Sequence, residues 1–326
     1  MFVGELISLG VALAWTATAL FAEVGSKRMG SLPFNIMRMS MSLLFLVLTL
    51  WLVMGVPYPR YADGSTWFWM LMSGLVGYVI GDYCLMQGYI HIGSRFGQLF
   101  MTLSAPTAAI AGRILLSEQM RPIAILGMVI TLSGIALSIL SKSDSAEHRG
   151  LHFKLPAKGI FYAIMAGVGQ GFGLVLSKMG LQHYDAALAA LNISQDAVFE
   201  GALLPLPVSL CVPFAATTIR TYIGLLGFFL SLMLFTKDGL TQLKNAISDR
   251  KAMWCALGST IFGPFVGVSA SLLATQYTAT GIAQTLFALT PILIIAPAAF
   301  LFHQKVTVRE VVGAIISVVG VSLFFL

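Results

Sequence analysis

Along this chain the polar positions gather in short clusters, and the apolar ones form runs about twenty residues long. The runs fall at 3–24, 34–54, 67–90, 95–116 and 123–140, and again at 158–178, 214–235, 253–275, 281–302 and 308–326. Each is close to the ~20 residues that an α-helix needs to cross a hydrocarbon core. The pattern predicts an all-α membrane protein with ten transmembrane helices, five in each half. Proline stands near the start of the second run, Pro33-Phe34, and of the seventh, Pro213-Phe214. It is tolerated where a helix begins, because the first backbone N–H groups have no intrahelical partner there.

The second half repeats the first. A shift of 186 residues without a gap carries Gly77 onto Gly263, Gly81 onto Gly267, Gln98 onto Gln284, Gly127 onto Gly313 and Gly134 onto Gly320. Because five crossings per half is an odd number, the halves enter the membrane from opposite sides, which makes an inverted-topology repeat. The expected organisation is a first five-helix repeat over 1–141, a polar linker loop over 142–157, and a second five-helix repeat over 158–326. The second repeat carries an insertion at 181–212, whose later part, ALLPLPVSLCV, is expected to lie at the surface as an amphipathic or re-entrant segment. Pro106 and Pro291 each interrupt an apolar run, as in a discontinuous helix that lines a cavity. Gly167, Gly169, Gly171 and Gly173 give the sixth run a smooth face, and Gly77-xxx-Gly81 and Gly263-xxx-Gly267 let backbones approach closely.

Composition sharpens this. The 326 residues are 58% hydrophobic and 10% charged, against roughly 25% charged in a soluble domain. The net charge of +6 is no nucleic-acid signal, since Lys and Arg lie between the apolar runs, where loops meet headgroups. They concentrate on the odd-numbered loops (Lys27, Arg28, Arg95, Lys142, Lys237, Lys244 and Lys305 among them), which places those loops in the cytoplasm and both termini outside. The N-terminus, MFVGELISLG, lacks a basic leader and reads as a first crossing. The three cysteines have no paired spacing and read as packing residues. His148 and His152 are four apart but have no third ligand nearby, so no metal site and no cofactor is expected. Asn192-Ile193-Ser194 fits a glycan acceptor triplet, a pattern common by chance. With no phosphate loop, no ATPase activity is expected, and with no H-E-x-x-H and no G-x-S-x-G, no hydrolase.

The candidate chemistry lies inside the runs. Asp82 sits deep in the third, where an ionised carboxylate costs roughly 2.5–3.5 kcal/mol. It needs a watery cavity, a proton, or a partner such as Arg38 or Arg95. Its counterpart in the second half is Val268, so the fold itself does not require the charge. Arg38 and Arg220 sit inside their runs and either meet an anionic group or extend to the headgroups. Glu23 and Lys178 lie near helix ends, as interfacial anchors do. Gln98, Gln284, Gln87, Gln170 and Gln276 are uncharged hydrogen-bonders that either touch a ligand or join helices. An intramembrane enzyme built on Asp82 is disfavoured, because His91 is nine residues along, about 13.5 Å up the same helix.

Gly81-Asp82, the Gly93-Ser94 turn, Pro106, the Leu116-Ser117-Glu118 exit and the Gly127…Gly134 run together resemble the drug/metabolite transporter superfamily, in its ten-helix EamA-type branch. The resemblance covers essentially the whole chain. It departs at Gln304, where the second copy of Glu118 is expected, and in the length of the 181–212 insertion. It implies a secondary exporter or exchanger of small organic solutes, with a central cavity lined by helices 1–4 and 6–9 and with helices 5 and 10 peripheral. It also implies cytoplasmic termini, opposite to the charge count. The leading expectation is a carrier in the plasma or inner membrane that moves a small polar metabolite, such as an amino acid, by alternating access, with Asp82 a candidate for proton coupling. Its partners are then the small-molecule substrate and the lipid bilayer, with no nucleic acid or ATPase partner; a homodimer is left open. The alternatives are an exchanger of phosphorylated or nucleotide-linked sugars, with Arg38, Arg95 and Arg220 on phosphate, and a non-transporting membrane scaffold or lipid-handling protein.

Overall fold

A computed structural model describes residues 2–140, 156–294 and 308–325. Among the described residues, six helices are long and apolar enough to cross a membrane: Val3–Met29, Ser31–Met54, Gly64–Ser94, Ala157–Ala190, Val208–Phe235 and Arg250–Tyr277. Shorter apolar helices among the described residues are Pro122–Ser138, Thr280–Leu293 and Val311–Phe325.

In chain order, α1 is Val3–Met29, α2 Ser31–Met54 and α3 Gly64–Gly74. A π-helical stretch, Leu75–Asp82, continues α3 into α4, Tyr83–Met101, which kinks at Gly93 (φ 77°, ψ 162°). Only glycine takes that conformation without a Cβ clash. Then come α5 Ser104–Leu115, α6 Pro122–Leu140, α7 Ala157–Ala190, α8 Val208–Phe235, α9 Gly239–Ser248 and α10 Arg250–Thr260. A second π stretch, Ile261–Phe265, leads into α11 Val266–Tyr277, followed by α12 Thr280–Phe287, α13 Thr290–Leu293 and α14 Val308–Ser322.

The packing is that of helices in an apolar solvent. Large apolar side chains such as Leu13, Phe68, Ile110, Leu126 and Phe235 point outward. The interior holds small polar ones, including Ser8, Thr16, Ser42, Ser73, Thr217 and Thr260. Four of these hydroxyls, those of Ser8, Thr16, Thr217 and Thr260, bond to the carbonyl one turn back, as Ser8 does to Gly4 (2.7 Å) and Thr217 to Pro213 (2.7 Å), while Ser73 bonds across to the Gly173 carbonyl (2.6 Å). Helix α7 uses its glycines on two alternating faces. A Cβ on Gly173 would stand 2.9 Å from the Gly77 Cα, and one on Gly169 3.2 Å from the Gly81 Cα. Gly167 and Gly171 instead meet the carbonyls of Phe100 and Ser104, on either side of the break between α4 and α5.

The repeat offset reappears as geometry. The two π stretches begin at Leu75 and Ile261, and the two helix breaks fall at Thr102-Leu103 and Ala288-Leu289, each pair 186 residues apart. Helices α6 and α14 run antiparallel, with Gly127 against Gly320 and Gly134 against Gly313. At their crossing, Thr131 Oγ1 donates to the Ser317 carbonyl (3.4 Å) and Ser317 Oγ to the Thr131 carbonyl (3.1 Å). These two residues also differ by 186, as they would on either side of a two-fold axis.

Two expectations need correction. The 181–212 stretch forms no separate amphipathic or re-entrant segment. Helix α7 simply runs on through 34 residues to Ala190. A loop follows, with one bridge between Val198 and Pro207, and α8 begins at Val208. Pro207, extended at ψ 144°, precedes the first helical residue, so Pro213 lies inside the helix instead of opening it. The loop seals the α2–α3 connection: Phe199 is buried against Tyr61, the Leu204 N–H donates to the Leu52 carbonyl (2.8 Å), and Arg60 donates to the Glu200 carbonyl (2.9 Å). The side chain of Arg95 and the residues His148, His152 and Gln304 lie outside the described residues.

Candidate functional site

The two π stretches face a small internal cavity of about 50 Å³, lined by Trp15, Thr18, Arg38, Tyr78, Asp82, Gln98, Gln170 and Pro264 among others. A water needs roughly 10–15 Å³ of such volume, so this space takes a few waters and is closed to anything much larger. A π-helical turn widens the backbone and recurs at functional positions in membrane and soluble helices alike. Here it delivers Asp82, the last residue of the first stretch, to the cavity wall.

Asp82 is 6% exposed and is held from two helices, α7 and α2. Gln170 Nε2, on α7, donates to Oδ1 at 2.7 Å and also to the Gly77 carbonyl at 3.0 Å. From α2, an Arg38 guanidinium nitrogen lies 3.4 Å from Oδ2. Asn35, one turn before Arg38, accepts from that same nitrogen at 2.9 Å and donates to the Asp82 carbonyl at 3.4 Å. Charge-assisted N–H···O bonds run about 2.7–2.9 Å, so Asp82 binds Gln170 tightly and Arg38 loosely.

Arg38 and Arg220 do not extend to headgroups; each is 3% exposed. Their surroundings are alike. A Cβ on Gly263 would stand 3.1 Å from an Arg38 nitrogen, and one on Gly77 3.0 Å from an Arg220 nitrogen. Each arginine therefore lies against the equivalent glycine of a π stretch in the opposite half of the repeat. Arg38 also lies over the Phe34 ring, and Arg220 over the Tyr78 ring at 4.7 Å. The halves differ in the carboxylate. Arg38 faces Asp82, whereas Val268 occupies the equivalent position on the other side, and among the described residues Arg220 makes no ion pair. The Nε atoms of both arginines and the Tyr78 hydroxyl are buried without a hydrogen-bond partner.

The glutamines divide. Gln98 lines the cavity and donates to the Tyr89 hydroxyl at 2.5 Å, and Gln170 lines it and holds Asp82. Gln284 is buried away from the cavity wall, accepting from Ser104 Oγ (3.2 Å) and donating to the Gln170 carbonyl (3.3 Å) across three helices. Gln87 ties α4 to α2 through Ser31 (2.9 Å), and Gln276, near the end of α11, has an unpartnered buried oxygen. Glu23 is partly exposed near the end of α1. It accepts from both the Ser94 N–H (3.2 Å) and the Ser94 hydroxyl, and it pairs with Lys27 at 2.6 Å.

A matching arrangement that the sequence reading missed stands at the other end of the Ser94–Leu115 run. Glu118 accepts from the Thr280 N–H (3.0 Å) and hydroxyl (2.6 Å), and it pairs with Lys178 of α7 at 2.7 Å. Thr280 is Ser94 plus 186, so one glutamate caps each equivalent helix start. That signal was available in the repeat offset, but the capping glutamates come from unrelated sequence positions. Asn35, Tyr78, Tyr89 and Trp15 were also missed, since nothing in their own neighbourhoods marks them.

An internally repeated bundle of long apolar helices with buried charges at its centre is the architecture of a multi-pass membrane protein. The model of the EamA-like transporter family matches residues 2–140 and 197–326, and the chain belongs to that family. All of α7 falls between the two matched segments. Among solved structures, one described only as the crystal structure of a protein superimposes with a TM-score of 0.66, covering 98% of this chain and 95% of that one at 13% identity. The likeness is one of fold. A search of curated proteins returns no match.

Proposed function

We propose that this protein is a secondary-active transporter, an exporter or exchanger of a small polar metabolite, working by alternating access through the cavity around Asp82. The observation that carries the reading is the Asp82–Arg38–Gln170 cluster. It is an ion pair enclosed by two symmetry-related π stretches, at a depth where a charge without a task is costly. Two inverted five-helix repeats, 1–141 and 158–326, would alternate the side on which the cavity opens. The Glu23–Ser94 and Glu118–Thr280 caps, at opposite ends of one crossing, are the contacts that opening on either side would have to release. Asp82, loosely paired, is suited to take up a proton or exchange partners as solute enters.

Asp82→Asn keeps the shape and removes the charge. In vesicles containing the purified protein, it is expected to abolish transport of the solute found with a metabolite panel, or to remove the pH dependence of that transport. Transport at the wild-type rate with the wild-type pH profile would make Asp82 structural. The proposed setting is the plasma or inner membrane, with both termini outside. A single cysteine at Asn245, in a background without the native cysteines, would then resist an impermeant thiol reagent in intact cells; its labelling would reverse the orientation.

A further inference from the structure

The central cluster is not electrically balanced. Among the described residues, two buried guanidiniums, Arg38 and Arg220, face one carboxylate, Asp82. Arg220 lies twelve residues into α8, about 18 Å from its start at 1.5 Å per residue, too deep for its charge to reach water along the helix. It stacks on Tyr78, whose ring lines the cavity, and both its Nε and the Tyr78 hydroxyl are unpartnered. Arg38, in the cavity wall, has its Nε unpartnered and its single carboxylate contact stretched to 3.4 Å. A guanidinium carries five N–H donors suited to a planar anion, and most of those on Arg38 are unspent. A buried excess cation persists when something absent from the resting protein neutralises it.

Resting on the transport reading above, we infer that the solute is a small singly charged carboxylate, bound through its carboxylate group by Arg38, with Arg220 supplying the second positive charge. An amine would need Asp82 free of Arg38 and would raise the excess charge. A zwitterion would leave the excess unchanged. A monoanion brings the site to neutrality.

Four probes of equal carbon number separate these cases: propionate, propionamide, alanine and propylammonium. The readout is the Tm of the purified full-length protein at matched ionic strength. Propionate is expected to raise Tm saturably, with alanine, propionamide and propylammonium at least tenfold weaker. Arg220→Gln, which breaks no ion pair, should fold and weaken the propionate effect at least tenfold. Arg38→Gln should do the same, and Arg38→Gln with Asp82→Asn removes both members of the pair if the single variant does not fold. The inference is overturned if alanine or propylammonium is the stronger ligand, if none of the four shifts Tm, or if Arg220→Gln responds to propionate as the wild type does. Its failure is separable from that of the transport reading. Vesicles that move only neutral or cationic solutes keep transport and remove this inference; propionate binding without transport of any solute does the reverse.

Discussion

Gly173 offers a measurement of how tightly α7 must approach the first π stretch. A Cβ there would lie 2.9 Å from the Gly77 Cα, 3.2 Å from its nitrogen and 3.5 Å from the Ser73 carbonyl. All three are backbone atoms, so no side chain can swing aside. Alanine at 173 must push α7 away from the π stretch by several tenths of an ångström. The displacement strains the buried bond from Ser73 Oγ to the Gly173 carbonyl (2.6 Å) and, one turn earlier, the Gln170–Asp82 bond. Overpacking of this kind costs about 1–3 kcal/mol, more than alanine gains over glycine in helix propensity, about 1 kcal/mol. Gly10, exposed on α1 with nothing within 4 Å of a built Cβ, is the control in which only the propensity gain operates. Reversible unfolding of the purified protein in mixed micelles should show Gly173→Ala destabilised by about 1–2 kcal/mol and Gly10→Ala neutral or stabilised by up to about 1 kcal/mol. Equal behaviour of the two variants would refute the claim that backbone contact at Gly77 sets the position of α7, and with it the account of how Gln170 is brought to Asp82.

Glu118→Gln keeps the cap on Thr280 but leaves Lys178 largely buried with only the Thr278 carbonyl (2.9 Å). It should cost about 3 kcal/mol, as breaking a buried pair does, with Glu118→Gln/Lys178→Met recovering most of it in the same unfolding assay; no recovery would deny the pair. Asp63 caps α3 by accepting from the Thr66 hydroxyl (2.5 Å) and N–H (2.8 Å), bonds that hold its carboxyl below the usual carboxylate range. Because the folded value is the lower one, the contribution is present at neutral pH and is lost as pH falls through the carboxylate range. Asp63→Ala should therefore cost about 1 kcal/mol at pH 7 and much less near pH 3, and a pH-independent difference would rule out the charged cap.

Much of this was legible in the chain itself. Run length and composition fixed a helical membrane protein, because lipid demands a continuous apolar surface and an internally bonded backbone. The 186-residue offset marked the repeat, and the π stretches and helix breaks keep that register, although the breaks fall a few residues before Pro106 and Pro291, where an interruption was expected. The cost of burying a charge marked Asp82, Arg38 and Arg220 without reference to any neighbour. What remained hidden were contacts between residues far apart in sequence. Asn35 is one polar residue among many until α2 and the π stretch bring it between Arg38 and the Asp82 backbone. Glu118 and Glu23 share no sequence context, yet each caps the equivalent helix start. The 181–212 stretch read as an amphipathic or re-entrant segment because its prolines suggested a break, while in the folded chain α7 extends to Ala190 and a largely exposed loop leads to Pro207 and the next helix. Only the tertiary structure decided that Arg38 has a carboxylate and Arg220 does not, because that depends on which π stretch each helix crosses.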